Sequence, residues 1–201
     1  FLTQERVNYP QHASFLYQAQ ADILKKMDNK KAALTLLDEA IKNIPDDPEL
    51  IYAEVLLLDP YTDRDKLDKT LKQLLAIEPN SPTYLNAYAY TLALQNRRLK
   101  EARKYAELAL EYAPEQASIL DTLGYIAFLQ NDFDTAVQAL QQAYSISQNV
   151  NIGIRYAKAL YMQGSLAQFS DVLRQLKQKH ANAPQLQQLD DLILPVNVKK
   201  S

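Results

Sequence analysis

The sequence predicts an all-α protein made of stacked antiparallel helix pairs, and a period of about 34 residues is the first observation that predicts it. Prolines recur at intervals of 34 or 35 residues, at Pro10, Pro45, Pro79 and Pro114. Since proline cannot continue a helix, each repeat should end where the previous one ended. Between the prolines, apolar residues recur at spacings of three and four, which is typical of amphipathic helices.

Small side chains recur with the same period and indicate where helices approach each other closely. Three series run through the chain: Ala33, Leu67, Ala102 and Ala136; Ala40, Leu74, Ala109 and Ala143; and Ala21, Val55, Ala89, Gly124 and Ala157. Helices that pack about 8–10 Å apart need a small side chain at their nearest approach. Three such series in each period predict a pair of helices, A and B, that packs on itself and on the next pair.

These series divide residues 1–194 into one array. We expect a partial repeat at 1–11, repeats at about 12–45, 48–79, 82–114, 117–148 and 150–181, a capping helix at 183–194 and a tail at 195–201. A solenoid needs such a cap to cover its last core. Helix A of the second repeat should end before Pro60, because the residue preceding a proline leaves the helical region. Since the sequence begins inside a repeat, we expect a fragment or processed product of a longer array.

Composition excludes several kinds of site. The three glycines, Gly124, Gly153 and Gly164, lie too far apart to form either glycine-rich phosphate-binding loop. Cysteine is absent and histidine occurs twice, which argues against disulfides, thiol catalysis and histidine-rich metal sites. A net charge of -2 argues against nonspecific binding to nucleic acid, and no apolar run is long enough to cross a membrane. We therefore expect no enzyme activity, catalytic residue, metal site, cofactor, nucleic-acid partner or transmembrane segment in this chain.

The remaining polar candidates favour structural roles. His12 falls in a turn between repeats and His180 at the end of a helix, where a cation is favourable. Aspartate pairs at 46–47, 132/134 and 190–191 fall at helix starts or on an exposed face, where carboxylates cap free N–H groups. The basic residues between 97 and 104 favour a solvated convex face, with an acidic partner as the alternative.

The fourth repeat carries a recognisable motif: Leu120, Leu123-Gly124, Ala127, Phe133, Ala136, Leu140 and Ala143. This motif resembles the consensus of the tetratricopeptide repeat (TPR) family. The resemblance implies a right-handed superhelical solenoid whose A helices line a concave groove. It also implies a non-enzymatic scaffold that binds an extended peptide or a partner helix there.

The family's groove positions, carried over in register, give ten candidate partner-binding residues. They are Tyr52, Asn86, Tyr90, Leu94, Asp121, Tyr125, Phe128, Ile154, Lys158 and Tyr161. Tyrosine suits a peptide groove, because it offers a large apolar area and a hydrogen-bonding tip. The alternative is that these rings pack between neighbouring A helices, although Leu85, Tyr88, Leu92, Leu123 and Ala127 already supply core positions. The lysine and asparagines with which some family members hold the EEVD tail of heat-shock proteins are missing.

Within residues 82–148, the stretches 85–93, 98–102 and 119–125 resemble a narrower group, the TPR outer-membrane lipoproteins of bacteria. That resemblance implies a periplasmic, outer-membrane-associated adaptor for a carboxy-terminal processing protease and its substrates, or for cell-envelope assembly, with a lipid anchor upstream of this chain. A cytoplasmic location is the alternative. Two other functions remain open: a self-associating structural array, and a regulatory appendage of an upstream catalytic domain. We expect a monomer or weak self-association.

Overall fold

A computed structural model describes residues 2–193, and all regular elements in that range are helices. The α-helices are α1 Leu2–Asn8, α2 Ala13–Lys26, α3 Lys30–Asn43, α4 Pro48–Val55, α5 Arg64–Ile77, α6 Pro82–Leu94, α7 Leu99–Tyr112, α8 Ala117–Leu129, α9 Phe133–Ser147, α10 Val150–Gln163, α11 Leu166–Lys179 and α12 Gln187–Ile193. Single 3₁₀ turns precede α2 and α12. Phe1, Leu194 and the predicted tail at 195–201 lie outside the described residues.

The chain forms two compact units, one ending at Tyr88 and one beginning at Ala89. The first unit contains the pairs α2/α3 and α4/α5 and the start of α6. Its core includes Leu37, Ala40, Leu50, Ile51, Leu71 and Leu74, all fully buried. The second unit contains the rest of α6, α7, the pairs α8/α9 and α10/α11, and α12. Its core includes Ala136, Leu140, Ala143, Ala157, Leu160 and Leu176, also fully buried.

A residue in the left-handed conformation allows the tight turn between the helices of four pairs. These residues are Asp28, Asn96, Asn131 and Gly164, with φ of 58°, 49°, 61° and 86°. Aspartate, asparagine and glycine tolerate this conformation best, which explains their presence at the end of each first helix.

The second pair lacks such a turn, and α4 is correspondingly short. It ends at Val55, so the prediction that this helix stops before Pro60 is confirmed. The connection is held by Asp59, whose carboxylate accepts hydrogen bonds from the backbone N–H groups of Tyr61 (2.8 Å) and Thr62 (2.9 Å). These bonds lower the pKa of Asp59. Leu57 and Leu58 remain buried, so the irregular segment still contributes to the core.

Close helix approach explains the small residues of the second unit. A Cβ atom added to Gly124 of α8 would lie 2.5 Å from Cγ of Leu140 on α9 and 3.3 Å from the carbonyl oxygen of Ala136. The two helices therefore touch where the sequence places glycine against alanine and leucine.

Aspartate and asparagine side chains begin several helices, as expected for caps. Asp47 accepts from the N–H groups of Glu49 and Leu50, and Asp132 accepts from that of Thr135. Two of the aspartate pairs noted in the sequence thus contain a helix cap.

Candidate functional site

One predicted groove residue of the first unit, Tyr52, belongs to a pair of tyrosine rings. Tyr52 of α4 and Tyr84 of α6 lie with ring centroids 5.2 Å apart at an interplanar angle of 50°. Burial, with Glu78 and Glu49 nearby, raises the pKa of Tyr84 to about 12. Burial and Glu49 also raise the pKa of Tyr52. The pair therefore stays uncharged in acidic surroundings, with Tyr84 buried and Tyr52 only half-buried.

Tyr52 also lines a small cavity of about 140 Å³ with residues of α2, among them Asp22 and Lys25. Asn86, the other predicted residue of this unit, has a buried Oδ1 atom without a hydrogen-bond partner among the described residues.

The second unit gathers three predicted residues around a cation that the sequence analysis missed. Arg155 of α10 donates a hydrogen bond and forms an ion pair with Asp121 of α8, and its Nη2 donates to the hydroxyl of Tyr90 on α6 at 3.3 Å. Its guanidinium carbon lies 5.0 Å from the ring centroid of Tyr125 and 5.8 Å from that of Tyr90. The two rings are 6.4 Å apart. We call Tyr90, Asp121, Tyr125 and Arg155 the Arg155 cluster; it joins three successive A helices.

Partial burial determines the electrostatics of this cluster. Only 14% of the Asp121 side chain and 28% of the Arg155 side chain are exposed. Burial raises the pKa of Asp121, although the charge of Arg155 acts in the opposite direction. The pKa of Arg155 is also raised: burial lowers it, but the charge and hydrogen bond of Asp121 and the hydroxyl of Tyr90 outweigh that effect. The second carboxylate oxygen of Asp121 is buried without a hydrogen-bond partner among the described residues.

A cavity of about 340 Å³ adjoins the cluster. Its lining includes Tyr125 and Phe128 of α8, Ile154, Arg155 and Lys158 of α10, and Gln188 of α12. Lys158 donates a hydrogen bond to the side-chain oxygen of Gln188. Burial, followed by the charge of Arg155, lowers the pKa of Lys158. Four of the ten predicted residues thus line one cavity.

The remaining predicted residues differ in accessibility. Ile154 is only 3% exposed and belongs to the core cluster, so it can form a floor but offers little surface. Phe128 packs edge to face on Phe133, and Tyr161 does the same on Phe169, with centroids 5.7 and 5.4 Å apart. Leu94, at the end of α6, is half-buried. Packing between helices therefore accounts for part of the aromatic series.

Arg155 was missed because it lies one position after the groove position carried over from the family. A signal was nevertheless present. Arg155 and Lys158 are the cations of α10, they are three residues apart and therefore share a face, and the rest of that helix is mostly apolar.

The site offers rings, two cations and amides around a small cavity, which are groups suited to binding. Within residues 2–193, no group of three or more His, Cys, Asp or Glu side chains is placed to hold a metal ion. None of the described helices is long and apolar enough to cross a membrane.

Comparison with known proteins identifies the repeat. A family model described as tetratricopeptide repeat matches residues 127–190. The TPR repeat-containing protein PA4667 of Pseudomonas aeruginosa is 32% identical over 142 residues, which is 71% of this chain and 24% of the relative. This chain therefore spans about a quarter of the relative's length.

Solved structures show the same fold. A thermophilic TPR protein of Thermus thermophilus, TTC0263, is similar with a TM-score of 0.73 at 20% identity, over 90% of this chain and 100% of that one. PilF of Pseudomonas aeruginosa gives a TM-score of 0.70 at 16% identity, over 90% of this chain and 98% of that one. They confirm the predicted fold class, an all-α TPR solenoid of antiparallel helix pairs. The family model, the relative and these structures together assign the chain to the tetratricopeptide repeat family, whose domains bind protein partners and are generally non-catalytic scaffolds.

Proposed function

We propose that this chain binds a segment of a partner protein, extended or helical, on the exposed face of its A helices, and that the Arg155 cluster and its cavity form part of that surface. The observation that carries the proposal is the half-buried pair Tyr90 and Tyr125 around Arg155. Tyrosine and arginine are the side chains that most often dominate binding energy at protein interfaces, especially beside a cavity.

The partner-binding proposal is tested by removing both rings. Tyr90→Ala combined with Tyr125→Ala should weaken binding to a captured partner by at least ~2 kcal/mol, because two aromatic anchors are lost. Binding is measured by isothermal titration calorimetry, and helicity by circular dichroism. The matched control, Tyr61→Ala combined with Tyr112→Ala, removes two exposed rings outside the A helices. Equal affinity of the double variant and the wild-type chain, with helicity retained, would contradict the proposal.

We further propose that the scaffold works in the periplasm, associated with the outer membrane, as an adaptor for a carboxy-terminal processing protease or for cell-envelope assembly. The resemblance of residues 82–148 to bacterial TPR lipoproteins supports this role. Fractionation of cells that produce the natural protein should recover it with outer membranes. Affinity capture from a periplasmic extract, followed by mass spectrometry, should recover an envelope protease that the Tyr90/Tyr125 double variant does not retain. Recovery of the natural protein in the cytosol would contradict this role.

A second candidate is self-association, which the outer face of α2 favours. Phe15 in α2 and Met27, which directly follows the helix, are 69% and 70% exposed, and Ile23 is also exposed. Spacings of eight and four place them on one side of the helix. Sedimentation over a dilution series should then show a molecular mass that rises with concentration for the wild type. The double variant Phe15→Ser/Met27→Ser should keep the mass of a monomer at all concentrations. A wild-type monomer throughout would exclude this candidate.

A further inference from the structure

The cavity beside the Arg155 cluster lies between two successive A helices. Tyr125 and Phe128 of α8 line it on one side and Arg155 and Lys158 of α10 on the other, and Leu140 of α9 also contributes to the lining. Helices that pack in adjacent layers are about 8–10 Å apart, which is too close to admit another main chain. The occupant that this space suits is therefore a side chain that descends from a chain lying above the helices.

The cavity carries one positive charge, that of Lys158, for which no described lining residue supplies a negative charge. Arg155 is paired with Asp121, which does not line the cavity, whereas Lys158 bonds to the neutral amide oxygen of Gln188. Among the described residues that line the cavity, none is acidic. The proximity of the two cations contributes to the lowered pKa of Lys158. A carboxylate between them would remove this repulsion.

Hydrogen-bond donors are available for such a carboxylate. A guanidinium has five N–H bonds, and the described structure uses two of those of Arg155, one to Asp121 and one to Tyr90. The ammonium group of Lys158 has three N–H bonds, and its one acceptor among the described residues is the neutral side-chain oxygen of Gln188. Bonds between these groups and a carboxylate are of the strong, charge-assisted kind. On the α8 side of the cavity, Phe128 offers an apolar surface to a short aliphatic stem.

We propose that this cavity receives a glutamate side chain of the partner, with its carboxylate between Arg155 and Lys158 and its methylene groups against Phe128. The proposal rests on the partner-binding function and specifies the chemistry that the surface recognises. Glutamate fits because its two methylene groups carry the carboxylate away from the main chain. The carboxylate at a chain terminus is attached directly to the last Cα atom, so it would require the main chain itself to enter the cleft.

The probes are two libraries of hexapeptides, one blocked by acetyl and amide groups and one with a free terminal carboxylate. In each library, one position at a time is fixed as Glu, Asp, Gln or Lys, and peptides retained by the immobilised 201-residue chain are quantified by mass spectrometry. The best blocked peptide and its Glu→Gln counterpart are then titrated against wild type, Lys158→Gln and Lys104→Gln. Lys104 is an exposed lysine of α7 and serves as the matched control.

We expect the blocked library to be enriched in glutamate at one position. Replacing that glutamate by glutamine should weaken wild-type binding roughly tenfold, as expected for one charged hydrogen-bonding group. Lys158→Gln should bind the glutamate peptide roughly tenfold more weakly than wild type does, and should bind the glutamine peptide as well as wild type does. Lys104→Gln should bind both peptides like wild type. This coupling distinguishes contact between the two groups from a general effect of charge.

Other results would overturn the inference in distinguishable ways. Retained peptides without glutamate preference, or a preference that persists in Lys158→Gln, would refute the glutamate site and leave the partner-binding function intact. Preference for a free terminal carboxylate would refute the proposed source of the charge. If no peptide of either library were retained, binding of extended peptides and the glutamate site would both fail.

Discussion

Replacing Arg155 by methionine tests whether the ion pair with Asp121 organises the second unit. Methionine keeps much of the apolar length of the side chain but removes the charge and both hydrogen bonds. The carboxylate of Asp121 would then remain largely buried without a cation. One of its oxygens already lacks a hydrogen-bond partner among the described residues, so the carboxylate has little alternative stabilisation.

The expected loss of stability follows from the burial of the pair. Removing one partner of a fully buried ion pair costs about 3–5 kcal/mol. The side chains of Arg155 and Asp121 are 28% and 14% exposed, so solvent screens part of this effect. We therefore expect a loss of roughly 2–3 kcal/mol at pH 7, measured by urea unfolding followed by circular dichroism.

The loss should also depend on pH with a defined sign. Burial raises the pKa of Asp121 in the folded protein. Such a carboxyl contributes stability below its unfolded pKa of about 4, and this contribution is lost as the pH rises through the folded pKa. Without Arg155 the folded pKa rises further, so the difference between variant and wild type should be smallest near pH 4 and largest at pH 7.

A matched variant separates burial from charge. Arg174→Met breaks the ion pair with Asp171, whose side chains are 67% and 60% exposed, and should change stability by less than about 0.5 kcal/mol. A loss for Arg155→Met that is equally small, or that does not change between pH 4 and 7, would refute the reasoning.

Three further changes test the packing and a buried carboxylate. Ala136→Leu should overpack the fully buried contact of α9 and cost roughly 1–3 kcal/mol in thermal or urea unfolding; no loss would mean that the repeat register is wrong. Gly124→Ala should cost about 1–2 kcal/mol, although alanine has the better helix propensity, because the new Cβ would clash with Leu140. In a Leu140→Ala background the clashing atom is removed, so the same change should be neutral or stabilising, and additive losses would contradict that contact. Burial raises the pKa of Glu54, although Lys66, 2.6 Å away, acts in the opposite direction. Glu54→Gln should therefore gain stability relative to wild type as the pH rises from 4 to 7. A stability difference in urea unfolding that stays constant over this range would contradict a raised pKa of Glu54.

The period and the small residues were sufficient to predict the helical architecture. Small side chains at Ala136 and Ala143 are required by the distance between helix axes, and proline and left-handed residues are required by the turns. Such constraints act on backbone geometry, which repeats from pair to pair. They can therefore be predicted from a single sequence.

The candidate site could be predicted only in part, because its side chains depend on packing between repeats. Tyr90 and Tyr125 occupy equivalent positions and are close in space, as their register implies. Register alone did not indicate that Phe128 and Tyr161 would each pack edge to face on a neighbouring ring. It also did not indicate Arg155, because the reach of a long cation depends on which acceptors lie on the neighbouring helix.

Repetition itself explains how one substitution can create a site from three helices. Successive A helices present equivalent positions side by side, so a residue has neighbours about one and two periods earlier in the sequence. Arg155 lies 34 residues after Asp121 and 65 after Tyr90, and it bonds to both. A cation introduced at this position in one repeat therefore meets an acid and a hydroxyl already supplied by two others. Side chains at such positions can therefore change the binding chemistry along the array while the helix pairs that carry them remain.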